Sequence, residues 1–512
     1  MALLLFVRTI GTLSILSALL HAQRPEAPAA EEPLKPIELL EEADLVAAHF
    51  SPAERADLLL SLANASGTRE RKRTEAWALD LFQISTRQLD DSLYRRAMQK
   101  NALTALSAVN PLRAADLYEF QDPPAKPLPN EDFRAFGTRL LFPRLWVLQG
   151  PASVERIQQI ATWLGSTGQF PYAAMADLIP KIAERDRDKA SELFGLASYF
   201  YERDPGFFIA PREYINFLRR TWKIPDRAVA GAAVQQAWAS LDKIEKDPNR
   251  HRMRYDVSWA GRSATFSSEA DFLRARLFHV VREIDLAWAD QLLKKDSGWK
   301  SRTLPAEDEG VRIAAAASVE PGTTETRVRS ALNEHRTFQA TLLAENDPEA
   351  AWKLVNSLDD PEHRLLGQAA ILPAYAKTKA ADAPGSISDL DRRLEHMKPT
   401  PAKLKILVGL AGACFATGRE QDGVQYWDQA FDLGEELFSQ DQRANPGKMA
   451  YASNGFDEVL QLARMRSSSP SLQLATATRI RQMDNALLKA RALVALAESV
   501  YPPDRSAAQA KR

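Results

Sequence analysis

Cysteine is almost absent. A single thiol, Cys414, in 512 residues excludes an intramolecular disulfide, so packing has to hold the chain together. Long apolar runs are missing too: after the N-terminus no stretch approaches the roughly 18 consecutive apolar residues that a spanning helix needs. No charge sign dominates, because 66 Lys and Arg meet 67 Asp and Glu for a net charge of -1. That excludes a global field drawing the chain to nucleic acid or to an anionic membrane. Catalytic signatures are lacking as well. There is no G-x-S-x-G, no G-x-x-x-x-G-K-[ST] and no G-x-G-x-x-G, which removes sequence support for triad hydrolases, P-loop enzymes and dinucleotide enzymes. No H-E-x-x-H or other histidine pair one helical turn apart occurs, so neither a metal nor a cofactor is expected.

What is present has ordinary soluble composition, 45% hydrophobic and 26% charged, and length for two to four domains or one elongated array. Residues 1–8 carry one positive charge and 9–20 are mostly apolar, the pattern of a secretory signal peptide ending at Ala22. Export is therefore expected. With one cysteine, and none at the cleavage position to take a lipid, the compartment reads as bacterial periplasm or secreted medium. Residues 23–36, with four prolines among Ala and Glu, read as a flexible leader.

The chain is organised by helix-start chemistry, clearest over 343–377. Asp347 offers a carboxylate to first-turn N–H groups, Pro348 occupies a position that needs no N–H, and Glu349 faces the positive helix end. Ala351, Leu354, Val355 and Leu358 form an apolar stripe, and Asp360-Pro361-Glu362 restarts the pattern, predicting antiparallel helical hairpins. Asn110, Asp186 and Asp285 echo Asp347, each with apolar residues before it and an Ala-Leu pair after it, at unequal spacing that excludes a strict repeat. Ser51-Pro52 with Glu54 predicts another helix start.

Residues 121–130 hold four prolines and read as a hinge. The aromatics between 139 and 220, Trp146 and Trp163 among them, read as inter-helix core. Two irregular loops are expected: 247–268, where Arg252, Arg254, Tyr255 and Trp259 mix base and ring as a loop or small hairpin, and 295–310 with Glu307, Asp308 and Glu309. Three Glu-His pairs, at Glu334-His335, Glu362-His363 and Glu395-His396, read as solvated helix faces. Cys414, among Gly412, Ala413 and Phe415, reads as a buried, inert thiol.

Leu407, Leu410, Ala411 and Cys414, then Gly418, then Gly423, Trp427, Ala430 and Phe431 resemble a tetratricopeptide repeat over 404–437, with Cys414 and Glu435 departing from the family pattern. The resemblance implies stacked helix pairs serving as an interaction scaffold, and brings no catalytic residues.

The fold expected is all-α, an irregular right-handed α-solenoid of antiparallel helical hairpins in one array or two segments. Its parts are a signal peptide (1–22), a leader (23–36), an N-terminal helical segment (37–120), a central aromatic-rich segment (131–310), a C-terminal helical-repeat segment (311–501) and a polar tail (502–512). The function expected is a scaffold binding another protein or an envelope polymer through Arg252, Arg254, Tyr255 and Trp259, with no nucleic acid and no transmembrane span in the mature chain. Two alternatives stay open. One is an envelope hydrolase or lyase that sets Arg252, Arg254 and Tyr255 against Glu307, Asp308 or Glu309; the other is a purely structural protein.

Overall fold

A computed structural model of the chain describes residues 34–120, 136–166, 168–203, 210–246, 253–259, 262–295, 304, 312–317, 336–344, 346–379, 382–446, 448–466 and 469–501. The expected signal peptide, nearly all of the leader, the 121–130 hinge, most of 295–310 and the polar tail lie outside these residues. The fold is all-α, and its helices pack in pairs. Two compact units divide it: Met1–His49 with Leu332–Arg512, and Phe50–Ala331.

Helix corners explain the architecture. Asn110 and Asp285 each stand alone between one helix and the next, while Asp186 and Asp347 begin a helix just after a short turn. In all four, the backbone N–H donates to the carbonyl four residues earlier at 2.7–2.8 Å, and the carbonyl accepts from the alanine N–H four residues later at 3.0–3.1 Å. The side-chain oxygen accepts the N–H three residues on, at 3.1 Å for Asn110, 2.9 Å for Asp186 and Asp285, and 3.0 Å for Asp347. One short polar residue thus satisfies groups that both helix ends would otherwise leave unpaired. The alanines that follow, Ala114, Ala190, Ala289 and Ala351, are all buried. Asp360 caps in the same manner, accepting from Glu362 N–H at 2.8 Å and His363 N–H at 3.1 Å.

In the unit Phe50–Ala331, the helices are α2 (Pro52–Ser66), α3 (Arg71–Gln88), α4 (Ser92–Val109), α5 (Pro111–Leu117), α6 (Phe136–Gln149), α7 (Val154–Ser166), α8 (Tyr172–Ala183), α9 (Arg187–Arg203), α10 (Ala210–Thr221), α11 (Arg227–Glu245), α12 (Glu269–Ile284) and α13 (Leu286–Lys295). Three of them open on an arginine that reaches the carbonyl end of another helix. Arg71 donates to Val109 O at 2.7 Å, Arg187 to Lys223 O at 2.9 Å, and Arg227 to Ile284 O at 2.6 Å. A guanidinium there satisfies terminal carbonyls and meets the negative end of the helix dipole. The aromatic stretch forms a core as expected: Tyr172, Phe194, Tyr201, Tyr214 and Phe217 are buried, with Tyr201 and Tyr214 stacked at 3.9 Å.

A small sheet departs from the helical expectation. β1 (Met253–Trp259) pairs antiparallel with β2 (Arg262–Phe266) and with β3 (Arg312–Ala317), in the order β2-β1-β3. The hairpin realises one of the two forms expected of 247–268. β3 falls where the C-terminal helical segment was to begin; its Ala-rich sequence favours helix locally, but pairing to β1 wins.

The unit formed by Met1–His49 and Leu332–Arg512 holds α1 (Pro36–Val46), a helical stretch over 336–344, α14 (Pro348–Asn356), α15 (Pro361–Thr378), α16 (Ala383–Leu394), α17 (Pro401–Ala416), α18 (Glu420–Ala444), α19 (Phe456–Met465), α20 (Pro470–Arg481) and α21 (Ala486–Val500). Here α17 and α18 are the hairpin of the tetratricopeptide resemblance. Gly418 makes the turn at φ +75, and a Cβ on Gly423 would lie 2.6 Å from the Phe415 ring, so only glycine admits that approach. α1 packs on α21, and Glu42 pairs Arg481 of α20 through both carboxylate oxygens.

Candidate binding groove

The central hairpin turns Tyr255 into the packed interior. Tyr255 on β1 is 2% exposed and stacks on Phe272 at 4.7 Å. Alternation along the strand turns Tyr255 and Val257 inward and Ser258 outward. The Tyr255 hydroxyl accepts from Arg212, which also pairs with Glu269, itself 1% exposed. Burial, and then the Glu269 charge, hold the Tyr255 phenol above its ordinary range. This cluster pins the sheet to α10 and α12, and Tyr255 is part of that packing. Arg254 and Trp259 lie on β1, where Arg254 is in register with Ala316 and Trp259 with Arg262. Arg252, Glu307, Asp308 and Glu309 lie outside the described residues, so the acid/base pairing across a groove receives no geometry.

A groove of about 850 Å³ lies elsewhere in the same unit, within the range of about 300–1,000 Å³ typical of ligand sites. Its floor is apolar, with Val154 and Ile182 buried. One wall is α7. Glu155, Gln158, Gln159, Thr162, Trp163 and Ser166 recur at three- and four-residue steps on its outer face, while Ile157, Ile160, Ala161 and Leu164 point into the core. The other wall is Trp146 near the end of α6 and the corner from Arg185 to Lys189. Trp146 and Trp163 are both half-buried. Tyr118, buried behind, meets the Trp163 ring edge to face at 6.4 Å and fixes its orientation.

Some polar groups of the groove are used by the fold. Asp186 caps α9, Lys189 pairs with Glu192, and the Ser166 hydroxyl donates to Trp163 O. Others are unused: among the described residues, the side chains of Glu155, Gln158, Thr162 and Arg185 have no hydrogen-bond or ion-pair partner. Arg185 instead lies over the Trp146 ring, 5.2 Å from its centroid. Glu155 and Arg185, of opposite sign, are the unpaired charges left in the lining. The groove therefore combines two aromatic faces with hydrogen-bonding capacity that the protein itself does not consume, at near-neutral charge.

A second groove, of about 570 Å³, lies in the unit that contains the C-terminus, lined among others by Phe338, His363, Leu366, Pro373, Lys405 and Glu458. At its floor α15 and α17 approach backbone to backbone, since a Cβ on Gly409 would sit 2.3 Å from Ala369 O. His363 Nδ1 lies 3.3 Å from Oδ2 of the capping Asp360, so this histidine is held by a helix start. Among the described residues no group of three or more His, Cys, Asp or Glu is placed to hold a metal ion. Cys414 is fully buried, and burial pushes its thiol up to about 11.

The sequence reads Trp146 and Trp163 as inter-helix core, because aromatic density alone does not separate a filled interior from a lined surface. The signal was a face of α7, Glu155-Gln158-Thr162, that is polar yet carries Trp163. No family model, curated protein or solved structure matches this chain in comparison with known proteins.

Proposed function

We propose that the chain is an exported helical-repeat scaffold, tetratricopeptide-like in its α17–α18 hairpin, that binds another protein or an envelope polymer in the Trp146–Trp163 groove. The observation carrying this reading is the unspent lining: Glu155, Gln158, Thr162 and Arg185 without partners, beside two half-buried tryptophans. Trp and Arg dominate binding energetics where a partner excludes water from them. The surface expected from Arg252, Arg254, Tyr255 and Trp259 supports binding less well, since Tyr255 is consumed by packing.

The test is retention on an insoluble envelope-polymer fraction and on immobilised envelope proteins, for wild type and for Trp146→Ala with Arg185→Ala. The reading requires retention by wild type on one of the two and its loss in the variant, with the helical circular dichroism and melting point unchanged. Equal retention of both chains overturns it.

A further inference from the structure

We infer that the Trp146–Trp163 groove takes a polysaccharide chain, an assignment that rests on the reading of this groove as the binding site. Hydroxyl groups each donate and accept, so a sugar polymer is matched by a lining that alternates acceptors and donors. The groove supplies both. Glu155 accepts, Gln158 and Thr162 do either, and Arg185 donates, all without partners in the protein. These groups sit beside rings rather than in an apolar hole, and the apolar C–H face of a pyranose packs on an aromatic face much as another ring would.

Charge and donor balance weigh against a nucleic acid and against a proline-rich peptide. A nucleic acid needs several cations along its track, whereas the uncommitted charges here are one carboxylate and one guanidinium, with Lys189 already paired to Glu192. A proline-rich peptide in its extended helix offers carbonyl acceptors and almost no N–H donors, which leaves Glu155 unanswered and costs its desolvation. A sugar hydroxyl answers it. The Arg185 guanidinium, over the Trp146 ring, carries N–H groups to which hydroxyl or ring oxygens can serve as acceptors.

Affinity electrophoresis of the purified chain tests this, in gels containing soluble neutral glucans, N-acetylated amino-sugar chains or uronic-acid chains, beside titration with a proline-rich peptide and a mixed-sequence peptide pool. The expected result is retardation by at least one polysaccharide class, weakened about tenfold by Trp146→Ala and also by Gln158→Ala, a tenfold change being one step of about 1.4 kcal/mol. Because Trp163 packs on Tyr118, Trp163→Ala is the less clean variant; Gln158→Ala and Glu155→Gln alter only the lining. Peptide binding that Trp146→Ala removes, with no polysaccharide retarding the chain, overturns the sugar assignment and leaves the groove as the site. Retardation that none of the variants changes, or binding of neither class, overturns the groove reading itself.

Discussion

Arg185 lies over Trp146, 5.2 Å from the ring centroid, with its Nη1 atom close to the Gly150 backbone: φ there is +55, and a Cβ would stand 3.2 Å from Nη1. The cation and the ring together form one wall of the groove. An exposed cation–π contact is worth only about 0.5–1 kcal/mol, so the account expects Arg185→Ala to shift stability by no more than that while reducing ligand retention. Gly150→Ala should act on both, destabilising by about 1 kcal/mol through its positive φ and displacing the guanidinium. Chemical denaturation beside a retention assay separates the two effects.

The corner residues make a second prediction. Asp285→Ala and Asp347→Ala each remove an acceptor from first-turn N–H groups and should each destabilise by about 1 kcal/mol, whereas Asn at the same position should keep most of the wild-type stability. The readout is the urea midpoint at unchanged slope. Wild-type midpoints in both alanine variants would show that these hydrogen bonds are not limiting.

Arg227 tests the arginine links. It donates from Nε at 2.9 Å and from Nη2 at 2.6 Å to the same Ile284 carbonyl, a fork that lysine cannot reproduce. Arg227→Ala should destabilise by about 1 kcal/mol, and Arg227→Lys should recover less than half of it. Full recovery by lysine would mean that charge near the helix end, rather than the paired N–H groups, is what matters.

Asp441 gives a pH dependence of definite sign. Its carboxylate accepts from Lys448 Nζ at 2.7 Å and Asn454 N–H at 2.8 Å. The lysine first, and then the backbone N–H, hold its pKa below the usual carboxylate range. Since the folded value is the lower one, the stabilisation is fully present above the ordinary unfolded value of about 4 and is lost as pH falls through the folded value. Acid titration of unfolding should therefore be shallower below pH 4 in Asp441→Asn than in wild type. Identical slopes would contradict the assignment.

Local chemistry was the legible part of the sequence. Asp347 and its three echoes could be read because a cap needs only its own four or five residues, and all four cap as their neighbours predict. Cys414 could be read for the same reason, from small apolar neighbours. The inward turn of Tyr255 could not, because it depends on Arg212 and Glu269 from helices 43 residues before it and 14 after it. Nor could the pairing of Glu42 with Arg481, 439 positions apart. Trp163, read as core, lies between these cases: Glu155, Gln158 and Thr162 stand on its own helix, but only the arrangement of α6 and the Asp186 corner turns that face into a groove.

The most direct test of the central claim uses the ten tryptophans of the chain labelled with 5-fluorotryptophan. The Trp146 and Trp163 resonances are assigned by Trp146→Phe and Trp163→Phe, and Trp427, 2% exposed, serves as an internal reference. On titration with the envelope fraction that retains the protein, the account predicts that the Trp146 and Trp163 signals shift together and saturate while Trp427 stays in place. Saturable binding that leaves both of these signals unmoved would contradict it.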